Sequence, residues 1–212
     1  MTRSVTLVVL LGLVLAAPAL GQDELSLTDV QEAYDALDGL RAAFTQVISS
    51  EFAGDTTRID GTVLLSGNKY RVETPTQTVV TDGQTTWIYT PADSQVVVND
   101  TEQDASTVTP ETFLTASADR YEKTNSTPTI RQDTPHVKLT LTATDSTSRF
   151  KEATLWVRNA DRVVTRMRAT DRNGSTLDLR LRDLAVNPSL TGDPFTFTPP
   201  EGAEVIDLRP PE

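Results

Sequence analysis

The chain has 212 residues, 19 of them basic and 30 acidic, a net charge of −11 and no cysteine. The last point excludes disulfides, thiolate metal sites and cysteine nucleophiles. The acidic balance has the wrong sign for a nucleic-acid binder and should be repelled by anionic membranes. The length suits one domain with its own core.

The N-terminus reads as an export signal. Arg3 is followed by an apolar run from Val5 to Ala17, broken only by Thr6 and Gly12, and then by Ala19-Leu20-Gly21. These are the three parts of a cleaved secretory signal peptide. A permanent anchor needs about 20 apolar residues, and Pro18 interrupts this run. The expected organisation is a signal peptide over residues 1–21 and one mature domain over 22–212, exported and soluble. Loss of Arg3 takes the charge from −11 to −12. That acidity fits plain solubility and equally fits adaptation to high salt.

Ser26-Leu27-Thr28-Asp29 has capping-box spacing. Val30, Ala33, Tyr34 and Leu37 continue at helical spacing, and Gly39 stands where a left-handed C-cap is expected. Leu40 to Ile48 then alternates as a strand. Short β-rich runs follow: Arg58–Ser66, Lys69–Thr74, Thr78–Thr81, a strand through Trp87 to Thr90, and Gln95–Asn99. Asp82-Gly83 predicts a two-residue type I′ hairpin turn. Trp87 and Tyr89 fall on one face of its second strand.

A polar stretch from Asn99 to Thr109 leads to Thr109-Pro110-Glu111, which has the N-cap, N1 proline and first-turn acid of a second helix. Phe113, Leu114, Ala116 and Ala118 carry that helix to about Asp119. Strands resume near Arg120–Lys123, Thr129–Gln132 and His136–Thr144. Two hairpins follow, with turns at Asn159–Asp161 and Asn173-Gly174. The proline-containing segment from Phe195 to Ile206 predicts an extended edge.

The expected fold is mainly β with some α: an incomplete, open antiparallel β-barrel of about ten or eleven strands. One face is apolar and the other is Thr, Arg and Asp, so the apolar concave face needs a cover of helices.

Catalytic patterns are weak. His136 is the single histidine and has no partner motif. No nucleophile elbow or phosphate loop is present. The chain is therefore expected to be non-enzymatic, without cofactor or metal. Its apolar residues, Phe44, Tyr70, Trp87, Tyr89, Phe113, Leu114 and Trp156, suit either an ordinary core or the lining of a lipid cavity.

Several motifs resemble those of LolA-type outer-membrane lipoprotein carriers. Val80 to Pro91 is similar to V-x-D-G-x-x-x-W-x-Y-x-P, and Phe44-Thr45-Gln46 to F-T-Q. Gly61-Thr62-Val63-Leu64 and Lys69 to Glu73 resemble G-x-L and K-[FY]-R-x-E. Pro110 to Leu114 resembles P-x-x-L-L, and Phe195 to Gly202 resembles F-x-F-x-P-P-x-G. Their order holds over nearly the whole mature chain.

The resemblance implies a helix-roofed half-barrel. It implies a monomeric periplasmic chaperone that takes acylated lipoproteins from an inner-membrane ABC transporter toward an outer-membrane acceptor. It places Phe44, Leu64, Tyr70, Val72, Trp87 and Tyr89 at the cavity and Phe113 and Leu114 in the lid. Many members carry Arg-Pro before the K-[FY]-R element. Here Ser66-Gly67 stand there, which leaves Arg71 as the candidate lid latch. Other classes consistent with the residues are a binding module for another lipid or amphiphile, and an envelope sensor or scaffold without ligand.

Overall fold

Ser26 starts the first helix as its sequence predicts. Its hydroxyl accepts a hydrogen bond from the Asp29 amide at 3.1 Å, and its own amide donates to the Asp29 carboxylate at 2.7 Å. This helix, α1, spans Leu27–Asp35 and buries Leu27 and Val30. It stops at Ala36, a right-handed C-cap. Gly39 is not a left-handed cap, which corrects the sequence expectation. A Cβ at Gly39 would lie 2.8 Å from the Leu65 carbonyl oxygen, so close backbone approach is what excludes a side chain there.

The computed structural model describes residues 25–51, 54–100, 113 and 120–210. The expected signal peptide lies outside the described residues. Among the described residues twelve strands follow α1. The first six are β1 (Leu40–Ser49), β2 (Thr56–Ser66), β3 (Lys69–Glu73), β4 (Thr78–Thr81), β5 (Thr85–Thr90) and β6 (Gln95–Asp100). The rest are β7 (Tyr121–Arg131), β8 (Thr134–Ala143), β9 (Phe150–Arg158), β10 (Val164–Asp171), β11 (Thr176–Val186) and β12 (Glu204–Asp207).

All twelve form one sheet in the order β12-β6-β5-β4-β3-β2-β1-β11-β10-β9-β8-β7. The two end strands do not pair with each other, so the sheet is open. Every neighbouring pair is antiparallel except β12 on β6. The β1–β11 pairing joins the early meander to the late one through a register shift between Arg41 and Ala43.

Two sequence readings are refined. The runs expected at Arg120–Lys123 and Thr129–Gln132 are one continuous strand, β7. It tolerates Pro128 because it is an edge strand of the sheet. The C-terminal segment is an edge as expected, but it pairs in parallel.

The turn between β4 and β5 is also different. Thr81 pairs with Thr86, and the Asp82 amide donates to the Thr85 carbonyl at 3.3 Å. The central pair is therefore Gly83-Gln84, and of Asp82 and Gly83 only Gly83 has a positive φ, +95°. That is the demand of a turn with glycine first, not of a type I′ Asp-Gly turn. Asp82 instead accepts from the amides of Gln84 and Thr85, at 2.9 and 2.8 Å.

Opposed residues of paired strands share a face. Leu40, Ala42 and Phe44 of β1 oppose Leu65, Val63 and Gly61 of β2, and Leu65 and Val63 oppose Tyr70 and Val72 of β3. On the other side Phe44 opposes Leu181, Leu179 opposes Met167, and Met167 opposes Leu155. These side chains, Gly61 aside, belong to one buried cluster with Leu27 and Val30 of α1. Sheets of this width curl.

The expected cover of two helices is not what the described residues show. Among them α1 is the one α-helix, and it has nine residues. Of the second expected helix only Phe113 is described, in helical conformation. No helix among the described residues is long and apolar enough to cross a membrane.

Candidate functional site

Phe44, Tyr70, Val72 and Phe113 meet in the cluster on the apolar face, and each is buried. The alternation of β1 and β3 aims the first three inward. Phe44 lies over Gly61, its cross-strand partner: a Cβ on Gly61 would stand 2.7 Å from the ring's Cζ. The space above the glycine is thereby filled by an aromatic ring.

Phe113 stacks obliquely on Tyr121, with ring centroids 5.1 Å apart, and lies 6.4 Å from Phe150. The Tyr121 hydroxyl donates to the Phe150 carbonyl at 2.9 Å and accepts from the Phe150 amide at 3.2 Å. Burial raises the pKa of this phenol, although the bond to Phe150 opposes the shift. The second expected lid residue, Leu114, lies outside the described residues.

Helix α1 is tied over the same face. The Tyr34 hydroxyl accepts from the Val164 amide at 3.1 Å, and Lys123 donates to the Leu25 carbonyl at 3.2 Å. A cleft of about 10 Å³ at its C-terminal end is lined by Tyr34, Leu37, Leu40 and Leu65.

Leu64, Arg71, Trp87 and Tyr89 stand on the opposite face. Leu64 opposes Arg71, Arg71 opposes Val80, and Val80 opposes Trp87. Each is one residue out of phase with the positions that face the core. The expectation that Trp87, Tyr89 and Leu64 share a cavity with Tyr70 and Val72 is therefore corrected: strand alternation separates them. Trp87 and Tyr89 sit beside Val98 and Val96 in a smaller apolar layer.

The C-terminal segment lies against that layer. Tyr89 approaches Phe197 with centroids 6.0 Å apart, and Phe195 is buried. Arg71 donates to the Pro194 carbonyl at 3.3 Å and to Glu73 at 2.8 Å. It fastens this segment, so its expected role as a lid latch over the apolar face is also corrected.

The far half of the polar face holds a feature that the sequence reading missed. A cavity of about 430 Å³ is lined by Arg58, Arg131, Arg158, Arg180 and Arg182, with His136 and Thr165 in its wall. His136 is buried and bonded at both ring nitrogens. Nδ1 lies 2.8 Å from the Thr134 carbonyl, and Nε2 lies 2.9 Å from the Thr165 hydroxyl. Asp178, the partner of the lining Arg180, is bound by Arg166 as well. Burial alone would raise its pKa, but these two guanidinium groups outweigh burial and hold it at about 2.

A wide open sheet, antiparallel except at β12, with one continuous apolar face and a short helix docked on it is the mainly β architecture of this chain. Residues 35–198 match the family model described as outer membrane lipoprotein carrier protein LolA, and the chain belongs to that family. It is 28% identical over 171 residues to the outer-membrane lipoprotein carrier protein of Dechloromonas aromatica, covering 79% of this chain and 80% of that one. It is 31% identical over 138 residues to that of Chromohalobacter salexigens, covering 65% and 64%. Its fold is similar to that of an uncharacterized conserved protein from Thermus thermophilus, with a TM-score of 0.58 at 15% identity over 85% of this chain and 96% of the other.

Proposed function

We propose that this chain is a periplasmic carrier that shelters the acyl chains of lipoproteins against its apolar sheet face. It receives them from an inner-membrane ABC transporter and hands them on at the outer membrane. The observation that carries this reading is the single apolar cluster running across β1 to β3 and β8 to β11, with α1 and Phe113 on it, in a chain of the carrier family. The signal-like N-terminus supports an exported location and one mature domain over residues 22–212.

The physical logic is transfer between equal shelters. Each methylene taken out of water is worth ~0.8 kcal/mol, so a lipoprotein cannot cross an aqueous space unescorted. A protein face that shelters the chain about as well as a membrane leaves transfer near balance. Small elements that cover the face and move aside at low cost then admit or release cargo. Phe44, Tyr70, Val72 and Phe113 are the side chains that would meet the chain. No catalytic step is required.

The test is mass spectrometry of what co-purifies with the protein from the periplasm. Acylated peptides are expected. Free lipid without lipoprotein would point to a binding module for another amphiphile. Protein that is empty and fails to bind a fluorescent acyl probe would overturn the reading.

A further inference from the structure

The arginine-lined cavity on the polar face has a charge balance opposite to that of the whole protein. Five arginines line it, against one lining carboxylate, Asp183. Asp178, the partner of the lining Arg180, is also reached by Arg166 and Arg168. The other counter-charges are Asp60, bound by Arg58 and Arg182, and Asp161, bound by Arg158. With those partners counted, the five lining arginines meet four carboxylates, Asp60, Asp161, Asp178 and Asp183, so the lining stays cationic in a chain whose net charge is −11.

Arg131 is the uncompensated member. Among the described residues it makes no ion pair. Its guanidinium lies over the Trp156 ring, 5.5 Å from the centroid, and Arg166 lies 4.5 Å from the same centroid. Burial, then the nearby Arg166 and Arg180, lower its pKa. Asp178, bound by Arg166 and Arg180, offsets part of this repulsion, and a further anion beside Arg131 would offset more of it.

The framework is built rather than loose. Arg180 and Arg182 project from the same face of β11, and the pairing of β1 with β11 shifts register beside Arg182. Asp183 has a positive φ of 52°, as the extra residue of a bulge that re-aims a strand. The bonded pair His136 and Thr165 fixes the wall. Thr45 holds the near side: its hydroxyl donates to Asp60 at 2.5 Å, and Arg182 donates to it at 3.2 Å.

From this geometry we infer that the cavity is a binding site for a phosphate-bearing ligand with at least two negative charges. The planar forks of several arginines match phosphate oxygens two at a time, which lysines do not do. A volume of about 430 Å³ accommodates a diphosphate or a phosphorylated headgroup. The site lies on the face away from the apolar cluster, so it stands independently of acyl-chain binding.

The experiment is calorimetric titration of the full mature chain with inorganic pyrophosphate at low salt. Wild type, Arg131→Gln and Arg209→Gln are compared. Arg131 has no carboxylate ion-pair partner to orphan among the described residues, and Arg209 belongs to the distant C-terminal edge. Saturable binding that weakens about tenfold in Arg131→Gln, is unchanged in Arg209→Gln and fades with added salt is expected. Equal affinity in all three proteins, or no heat in wild type, overturns the inference.

A second arm distinguishes free phosphate from a lipid headgroup. Sedimentation with phosphatidic-acid vesicles that depends on Arg131 and is competed by pyrophosphate assigns the headgroup as the source. Pyrophosphate binding without vesicle binding assigns a soluble ligand. Vesicle binding that ignores both Arg131 and pyrophosphate counts against the site.

Discussion

Phe44 and Gly61 are cross-strand partners, and the ring of the first occupies the space where a side chain of the second would be. Gly61→Ala forces the ring aside and also meets the Glu73 carbonyl, a backbone atom that cannot swing away. Overpacking of this kind costs about 2 kcal/mol. Phe44→Ala empties the same place and costs about 4 kcal/mol. Urea unfolding of each single variant and of the double variant is the check. The double variant should unfold at a higher urea concentration than the sum of the two losses requires, because removing the ring relieves the clash.

Asp178 carries the clearest acid sensitivity. Its pKa in the fold is about 2, against an ordinary value of 3.8. A depressed carboxylate contributes stability that is complete above its unfolded pKa and is lost as pH falls through its folded pKa. The loss therefore falls between about pH 4 and pH 2, and amounts to about 2 kcal/mol. Asp178→Asn should lose stability at neutral pH, because Arg166 and Arg180 are left facing one another, and its acid limb should be flatter across that window. Thermal unfolding from pH 7 to pH 2 tests both points.

Helix α1 is capped by Ser26 and tied to the Val164 amide by Tyr34. Ser26→Ala removes the hydroxyl of the capping box and costs about 1 kcal/mol. Tyr34→Phe removes the acceptor of the Val164 amide and costs about 1 kcal/mol. If α1 covers cargo, both variants should also exchange a fluorescent acyl probe faster than wild type in stopped-flow displacement. Unchanged exchange would mean that α1 does not gate the face.

The C-terminal segment belongs to the other side. Phe197→Ala removes the ring beside Tyr89 and should shift Trp87 emission to longer wavelength as the polar-face layer opens. Acyl-probe affinity should stay within twofold of wild type, because the layer formed by Val80, Val96 and Trp87 is separate from the apolar cluster.

The antiparallel meanders, the capping box at Ser26 and the edge character of the C-terminus are legible in the sequence because local chemistry sets them, whereas the β1–β11 junction between the meanders and the parallel β12 are not. The face of a residue is legible too: alternation along Lys69–Glu73 sets Arg71 against Tyr70 and Val72. The turn after β4 does not disturb this. A central pair of Asp82-Gly83 would set Trp87 against Thr78, and the observed Gly83-Gln84 sets it against Val80. Both partners lie on the Arg71 face, since a two-residue slip preserves faces. The grouping of Trp87 and Tyr89 with Tyr70 comes from motif resemblance, which joins residues by their order in the chain and carries no information about faces. The arginine cavity is not legible, because Arg58, Arg131 and Arg182 are far apart in the chain and only the pairing of the two meanders through β1 and β11 gathers them.

A site-specific photo-crosslinker decides which face carries cargo. Placed at Tyr70 and, separately, at Trp87, it is activated in cells making an acylated lipoprotein. Crosslinks from position 70 that vanish when the lipoprotein lacks its acyl chains, with none from position 87, are expected. Acyl-dependent crosslinks from position 87 and none from position 70 would place the cargo on the opposite face and contradict acyl-chain binding at the apolar cluster.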